Sequence, residues 1–217
     1  MEKIKNIKLL IFDLDGTLVD SIPDLTDSVN YALTKLNHPE LNQEQVKKMV
    51  GSGLKNLIQL AIGNTKDETL EKAHSYFLEY YAKNLVNKTT YYKNIPDMLT
   101  YFSDKKKAVY SNKPDTYTVE IVQKLQLDTH FVKIMGAQPK KYKLKPSPEG
   151  IHLILKELNI APQEAVMIGD STHDIEAGKA AGIHTCAVSY GYRSKDILNA
   201  VKPDLLIDSC LDLTQYL

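Results

Sequence analysis

Six short apolar runs, each cut off by a polar or glycine-containing turn, constrain this chain's fold more than any other feature. They are Lys8–Phe12 before Asp13, Lys107–Tyr110 before Ser111, Phe131–Met135 before Gly136, Glu164–Ile168 before Gly169, His184–Val188 before Ser189 and Asp204–Ile207 before Asp208. Runs of this length, rich in Val, Ile and aromatic residues, suit strands covered on both faces. Helical patterns fill most of the gaps. Ile95–Phe102 is apolar at Ile95, Met98, Leu99 and Phe102, and Thr116–Leu125 carries Val119, Val122 and Leu125 nearly in phase. Ile151–Leu158 follows Pro148, and Ile175–Ala181 stops at Gly182, a residue suited to ending a helix. Strands alternating with helices predict a parallel, doubly wound, Rossmann-like α/β sheet. Ligands bind such sheets beyond the carboxyl ends of the strands, so the residues after each run become candidates.

Between Ile22 and about Val86 the alternation lapses into helices alone. Pro23–Leu36 aligns Leu25, Val29, Ala32, Leu33 and Leu36 on one stripe, and further amphipathic stretches cover Gln43–Val50, Leu54–Ala61 and Asp67–Asn84. This pattern predicts a small helical cap domain, 18–86, inserted after the first strand of a discontinuous core, 1–17 and 87–217. A chain of 217 residues has room for both, and 43% apolar with 25% charged residues is ordinary globular material. Lys plus Arg balances Asp plus Glu at 27 each, so no global field draws in nucleic acid or an anionic membrane. Leu9–Phe12 is far too short to span a bilayer, and Asp13 interrupts it before a signal peptide could form, which points to the cytoplasm. Cys186 and Cys210 lack CxxC spacing and are expected to be buried thiols.

The chemistry begins at Asp13-Leu14-Asp15-Gly16-Thr17, where the first strand should end. A carboxylate at Asp13 can attack phosphorus and hold the phosphoryl group as an acyl phosphate, dividing one hard displacement into two. Asp15 can serve the same substrate as general acid and then general base, with Gly16 allowing the tight turn between them. An Asx turn with a helix cap would explain a lone pair equally well. A calcium loop of EF-hand type would not, because Gly16 falls at its fourth position and Thr17 replaces its third acidic ligand. Three later strand ends add weight. Ser111-Asn112-Lys113-Pro114 reads as a phosphate cradle at a helix N-terminus, or as an ordinary cap. Lys145, in Lys145-Pro146-Ser147-Pro148, can neutralise phosphate charge and restrain Asp13, while Lys140, Lys141 and Lys143 read as a solvated loop. In Gly169-Asp170-Ser171-Thr172-His173-Asp174, Asp170 and Asp174 suit either a hard-cation site or the first turn of a helix. His173 reads as a surface residue. Carboxylates converging at strand ends repel one another unless a cation sits among them.

Together these stretches resemble the haloacid dehalogenase superfamily of phosphohydrolases. Asp13–Ser21 resembles its first motif, Ser111-Asn112-Lys113 its second, Lys145–Pro148 its third, and the run from Gly169 its fourth. The helical insertion resembles the small cap of the family's first subclass. The resemblance implies that Asp13 is the nucleophile and Asp15 the acid/base. It implies that Mg²⁺ is held by Asp13, the Asp15 backbone carbonyl and Asp170, with Asp174 in support. Lys145 joins the catalytic set, and Gly16, Thr17, Ser111, Asn112 and Lys113 are expected at the substrate. Asp20–Leu33 and Val50-Gly51-Ser52-Gly53-Leu54 are similar to the phosphoglycolate phosphatase group, which places Gly51, Ser52 and Gly53 over the substrate. The Tyr91–Pro96 segment departs from that group's Tyr-Pro-Gly-like pattern.

The expected activity is Mg²⁺-dependent hydrolysis of a small phosphate monoester, with 2-phosphoglycolate the first choice, by a monomer or homodimer. Pyrophosphate, nucleotide and sugar phosphates stay open, since core motifs do not fix the substrate. A halide-displacing dehalogenase would not need Asp15. A phosphonatase would need a cap lysine, for which Lys55 is the one candidate, and no cap residue demands a mutase. A non-catalytic phosphate-binding module would be expected to have lost one of Asp13, Asp15, Lys145 or Asp170.

Overall fold

In the computed structural model, which describes residues 3–217, the six apolar runs form a single six-stranded sheet whose paired strands all run parallel. The chain opens with β1 (Leu9–Phe12) and a two-residue strand, β2 (Val19–Asp20). Four helices follow, α1 (Ile22–Lys35), α2 (Gln43–Met49), α3 (Leu54–Ile62) and α4 (Asp67–Tyr81). A second short strand, β3 (Thr90–Tyr91), leads into α5 (Ile95–Tyr101), β4 (Lys106–Pro114), α6 (Asp115–Lys124) and β5 (Lys133–Ala137). The remainder is α7 (Glu149–Leu158), β6 (Ala165–Gly169), α8 (Thr172–Ala180), β7 (His184–Val188), α9 (Lys195–Ala200), β8 (Leu205–Ile207) and α10 (Leu213–Tyr216).

The strand order β5-β4-β1-β6-β7-β8 puts β1 at the centre, where the winding reverses direction. The period-two pleat sends successive residues of β1 to opposite faces. Leu10 and Phe12 enter one buried cluster with Val109, Val166 and Ile168, and Leu9 and Ile11 enter another with Ala108, Tyr110, Ala165 and Met167. Burial on both sides is why no polar alternation marks these strands. It also brings the carboxyl ends of β1, β4 and β6 side by side, because β1 pairs with both of the others.

Two features were not foreseen. Val19–Asp20 and Thr90–Tyr91 pair antiparallel, so the chain leaves for the inserted helices and returns through a short ribbon. Asp24, at the start of α1, is the second tie at this crossing. Its buried carboxylate accepts the backbone N–H groups of Asn87 at 3.0 Å, Lys88 at 2.9 Å and Thr89 at 2.7 Å, and the Thr89 hydroxyl at 2.7 Å. Asp24→Ala would strand the two buried donors of Thr89 and the part-buried N–H groups of Asn87 and Lys88, and a loss of about 3 kcal/mol is expected. Urea denaturation midpoints for the variant and the wild type measure it.

Strand β4 also runs further than the apolar pattern suggests, with its pairing to β5 shifting register between Tyr110 and Pro114. Ser111, Asn112 and Lys113 therefore lie on the irregular end of a strand, and the expected cradle at a helix N-terminus is corrected: α6 begins only at Asp115. Helices α9 and α10 were not anticipated, being too short for a periodic stripe. Cys186 and Cys210 are buried and unpaired, as expected. Among the described residues no helix is long and apolar enough to cross a membrane.

Candidate active site

Asp13 follows the last residue of β1, and its backbone N–H is bound to the Ile168 carbonyl of β6 at 2.9 Å. The chain then turns sharply at Gly16, whose φ of +87° lies in the left-handed region. A Cβ there would stand 2.3 Å from an Asp170 carboxylate oxygen, so both conformation and space require glycine. Gly191 serves the same need from the far side, where a Cβ would meet Asp170 at 2.4 Å.

Asp13, Asp170 and Asp174 are buried, and one oxygen of each lies within 4.8 Å of the others. Lys145 stands among them. Its ammonium is 2.9 Å from Asp13 Oδ1, donates to Asp174 Oδ1 at 2.6 Å, and donates to the Tyr110 carbonyl at 2.9 Å. Burial alone would push that ammonium down, yet Asp13 and Asp174 more than offset this and hold it above its usual range. Asp13 moves the other way. Burial, opposed by Lys145 but reinforced by the Asp174 and Asp15 charges, raises its carboxyl to about 7. Asp170 is also raised, by burial and then by Asp13 and Asp174.

A single lysine thus leaves the cluster short of positive charge. Asp13 Oδ1 is buried with no aligned hydrogen-bond donor, although the Lys145 ammonium lies nearby. Asp170 retains only a weak contact from the Thr17 hydroxyl at 3.4 Å and the Tyr192 N–H at 2.6 Å. Asp174, by contrast, is committed, since its second oxygen accepts the Ser171 N–H at 3.0 Å and the Ser171 hydroxyl at 2.6 Å. Hard oxygen donors, a charge deficit and a buried Asp13 oxygen met only by the Lys145 ammonium fit a small divalent cation such as Mg²⁺.

Asp15 is held in another way. Lys113 Nζ lies 2.9 and 2.8 Å from its two oxygens, and the Ser21 hydroxyl donates to Oδ1. Burial would lower the Lys113 ammonium, but the Asp15 charge overcomes it and the net shift is upward. Both residues border one cavity with Asp13, Ser111, Asn112 and Asp170. Its roof comes from the inserted helices and their loop, through Leu25, Val50, Gly51, Gly53, Leu54, Leu57 and Tyr81. The space open to water-sized molecules is ≈ 50 Å³, enough for about four waters.

Three contacts fasten the roof over the floor. Asn112 Nδ2 donates to the Gly51 carbonyl at 3.0 Å, besides exchanging hydrogen bonds with the Lys145 backbone. Arg193 donates to the carbonyls of Lys47 at 3.1 Å and of Val50. His173 and the Ser52 hydroxyl are 3.3 Å apart. His173 is half-buried at this junction, which corrects its reading as a surface residue; burial pushes its imidazole down.

Several expected positions lie off the cavity wall. Gly16 and Thr17 sit against Asp170, outside the cavity wall, because the turn brings them behind the carboxylate instead of toward the opening. Ser52 is exposed and off the wall, while Gly51 and Gly53 are on it. Lys145 is likewise off the wall, its donors taken by the carboxylates and the Tyr110 carbonyl. Lys55 is exposed and outside the cavity, so the phosphonatase reading loses its candidate amine.

Sequence reasoning missed Tyr192 and Arg193, which line the cavity from the loop after β7. The signal was available, because Tyr190-Gly191-Tyr192-Arg193 follows a strand as the other candidates do. Tyr192 gives its N–H to Asp170, and its hydroxyl accepts the Ser21 N–H at 3.1 Å, so this loop braces both carboxylate groups. For Tyr81 no signal existed, since it is one more apolar position on the α4 stripe.

A sheet wound about β1, with paired acids at its carboxyl edge and a helical roof, defines a class of hydrolase. The sequence pattern of the haloacid dehalogenase-like hydrolases matches residues 10–188, and the chain belongs to that family of enzymes. It is 35% identical to a phosphoglycolate phosphatase of Colwellia psychrerythraea, over 97% of each chain. To one from Chromobacterium violaceum it is 36% identical, over 97% of this chain and 96% of the other. Its fold is similar to the crystal structure of a predicted phosphoglycolate phosphatase from Haemophilus somnus, with a TM-score of 0.91, 29% identity and 98% of each chain covered.

Proposed function

We propose that the protein is a Mg²⁺-dependent phosphomonoester hydrolase acting through an aspartyl-phosphate, with 2-phosphoglycolate as its substrate. The observation that carries this reading is the pairing of two differently held carboxylates in one small covered cavity. Asp13 lies beside Asp170 and Lys145 at the sheet edge, and Asp15 is clasped by Lys113 across the opening. In this reading residues 18–86 act as the cap that closes the cavity and selects the substrate. The names carried by the relatives from Colwellia and Chromobacterium support the choice of phosphoglycolate.

The steps follow from the charges. Asp13 Oδ attacks phosphorus, and the bond to the ester oxygen breaks. Asp15 delivers a proton to that departing oxygen, with Lys113 and Ser21 fixing its orientation. Asp15 then takes a proton from the water that attacks the phosphorus of the aspartyl-phosphate, releasing inorganic phosphate and restoring Asp13. The Ser111 hydroxyl holds a phosphoryl oxygen, Asn112 ties the roof loop at Gly51 to the Lys145 backbone, and Lys145 keeps Asp13 and Asp174 apart in charge. Asp13, the Asp15 carbonyl and Asp170 would hold Mg²⁺, which would supply charge neutralisation for the phosphoryl oxygens and for the acids themselves. The roof excludes bulk water. The compartment that fits this reading is the cytoplasm.

The deciding experiment is a panel of phosphate esters and pyrophosphate assayed with and without EDTA. Turnover of 2-phosphoglycolate is expected above the others, lost in EDTA and restored by excess Mg²⁺. Turnover that persists in EDTA, or a clear preference for nucleotides, would reject the proposal.

A further inference from the structure

At the end of α4 the hydroxyl of Tyr81 is buried and has no aligned hydrogen-bond partner, although the Lys113 ammonium lies close to it; the residue forms part of the cavity wall and is only 1% exposed. Buried hydroxyls are ordinarily paired, so a hydroxyl without an aligned partner on a residue that lines a binding cavity can take a ligand atom. The ring is not free to swing away. It packs at 5.1 Å from Phe77 and edge-on to Tyr117 at 5.3 Å, while the Lys113 ammonium lies 5.2 Å from its centroid. Burial holds the phenol protonated across the physiological range, and so it remains a donor.

Its place in the cavity tells which part of a substrate it meets. Lys113 clasps Asp15, the acid that serves the departing oxygen in the proposed mechanism, and Tyr81 stands beside Lys113 on the roof. The phosphoryl end is served from the floor by Ser111. Tyr81 therefore faces the leaving group, among Leu25, Leu54 and Leu57, which cannot satisfy a charged oxygen. We propose that the Tyr81 hydroxyl donates a hydrogen bond to a carboxylate oxygen on the leaving-group end of the substrate, and so selects phosphate esters of small hydroxy acids.

This inference rests on the phosphatase reading and deepens it. The test compares kcat/KM for 2-phosphoglycolate and for ethyl phosphate, which lacks the carboxylate, in wild type and Tyr81→Phe. The variant keeps the ring and its packing and removes only the donor. The preference for 2-phosphoglycolate is expected to fall about tenfold to a hundredfold, the range for losing a hydrogen bond to a charged group. Its thermal midpoint should not drop, because the hydroxyl removed has no aligned partner. A preference within about twofold of wild type, with both esters still hydrolysed, overturns the assignment to Tyr81 and leaves the phosphatase reading standing. An equal loss on both esters with a lowered midpoint assigns Tyr81 to packing and also overturns it. No hydrolysis of either ester by the wild type overturns both.

Discussion

Asp13→Asn is expected to lower turnover by about 10⁴-fold or more, the scale on which removing a nucleophile acts, while the folded protein becomes no less stable. The two halves of that expectation have one cause. Asparagine keeps the shape of the side chain but cannot attack phosphorus, and it removes one of the charges crowded at the sheet edge. Burial and the neighbouring acids raise the Asp13 carboxyl to about 7 in the folded chain, far above its ordinary value of 3.8. A raised carboxyl means that folding takes up a proton, so this group costs nothing below pH 4, costs progressively more as pH rises toward 7, and reaches a plateau above it. Without Mg²⁺, therefore, Asp13→Asn should exceed wild-type stability at pH 8 by about 1–3 kcal/mol and match it near pH 4. Chemical denaturation at the two pH values in EDTA, alongside turnover in Mg²⁺, checks both halves. Full activity in the variant would remove Asp13 from the chemistry. A stability loss at pH 8 would show that its carboxylate is held by contacts stronger than the repulsion around it.

The contrast between Asp13 and Asp15 explains how much of the site could be read in advance. The core strands were legible because the central ones, such as β1 and β6, are buried on both faces and leave an apolar run. The strand-end rule then picked out Asp13, Ser111, Gly169–Asp170 and the segment carrying Lys145 without any contact information. What that rule could not supply is which charge pairs with which. Lys113 was expected at the phosphate, but its ammonium is engaged by both oxygens of Asp15. Lys145 was expected to touch phosphate as well, and its donors are already directed at Asp174 and the Tyr110 carbonyl. Such partnerships depend on residues far apart in the chain, and nothing local records them. The two-residue ribbon of β2 and β3 was invisible for a related reason, because strands that short leave no periodic pattern and exist only by pairing across the inserted helices. The roof is the least legible part. Tyr81 and Leu57 follow the same helical stripe as core residues, and only the closed position of the loop at Gly51 turns them toward a ligand.

If Lys145 is the cation in direct contact with Asp13 and Asp174, then Lys145→Met should be among the most damaging single changes in the chain. The side chain is buried, and its ammonium contacts Asp13 and Asp174, the latter itself fully buried. Removing one partner of a buried ionic group leaves the others uncompensated, a loss of about 3–5 kcal/mol, and methionine preserves the volume so that little of it comes from a cavity. The damage should depend on pH and on metal in a way that a packing defect would not. In the variant, Asp13 and Asp174 lose their contacting cation, and Asp170 keeps only the more distant Arg193, so protons must neutralise the acids. Stability is then highest in mild acid and falls as pH rises through the raised carboxyl range, more steeply than in the wild type. Mg²⁺ offers the same neutralisation without protons, so its stabilising effect should be larger for the variant than for the wild type, and larger at pH 8 than at pH 5, where protons compete for the same oxygens. Thermal midpoints measured for both proteins over that pH range, in EDTA and in Mg²⁺, provide the comparison. A loss that is the same at every pH and indifferent to Mg²⁺ would assign Lys145 to packing alone and separate it from the cation site that the acids of the sheet edge require.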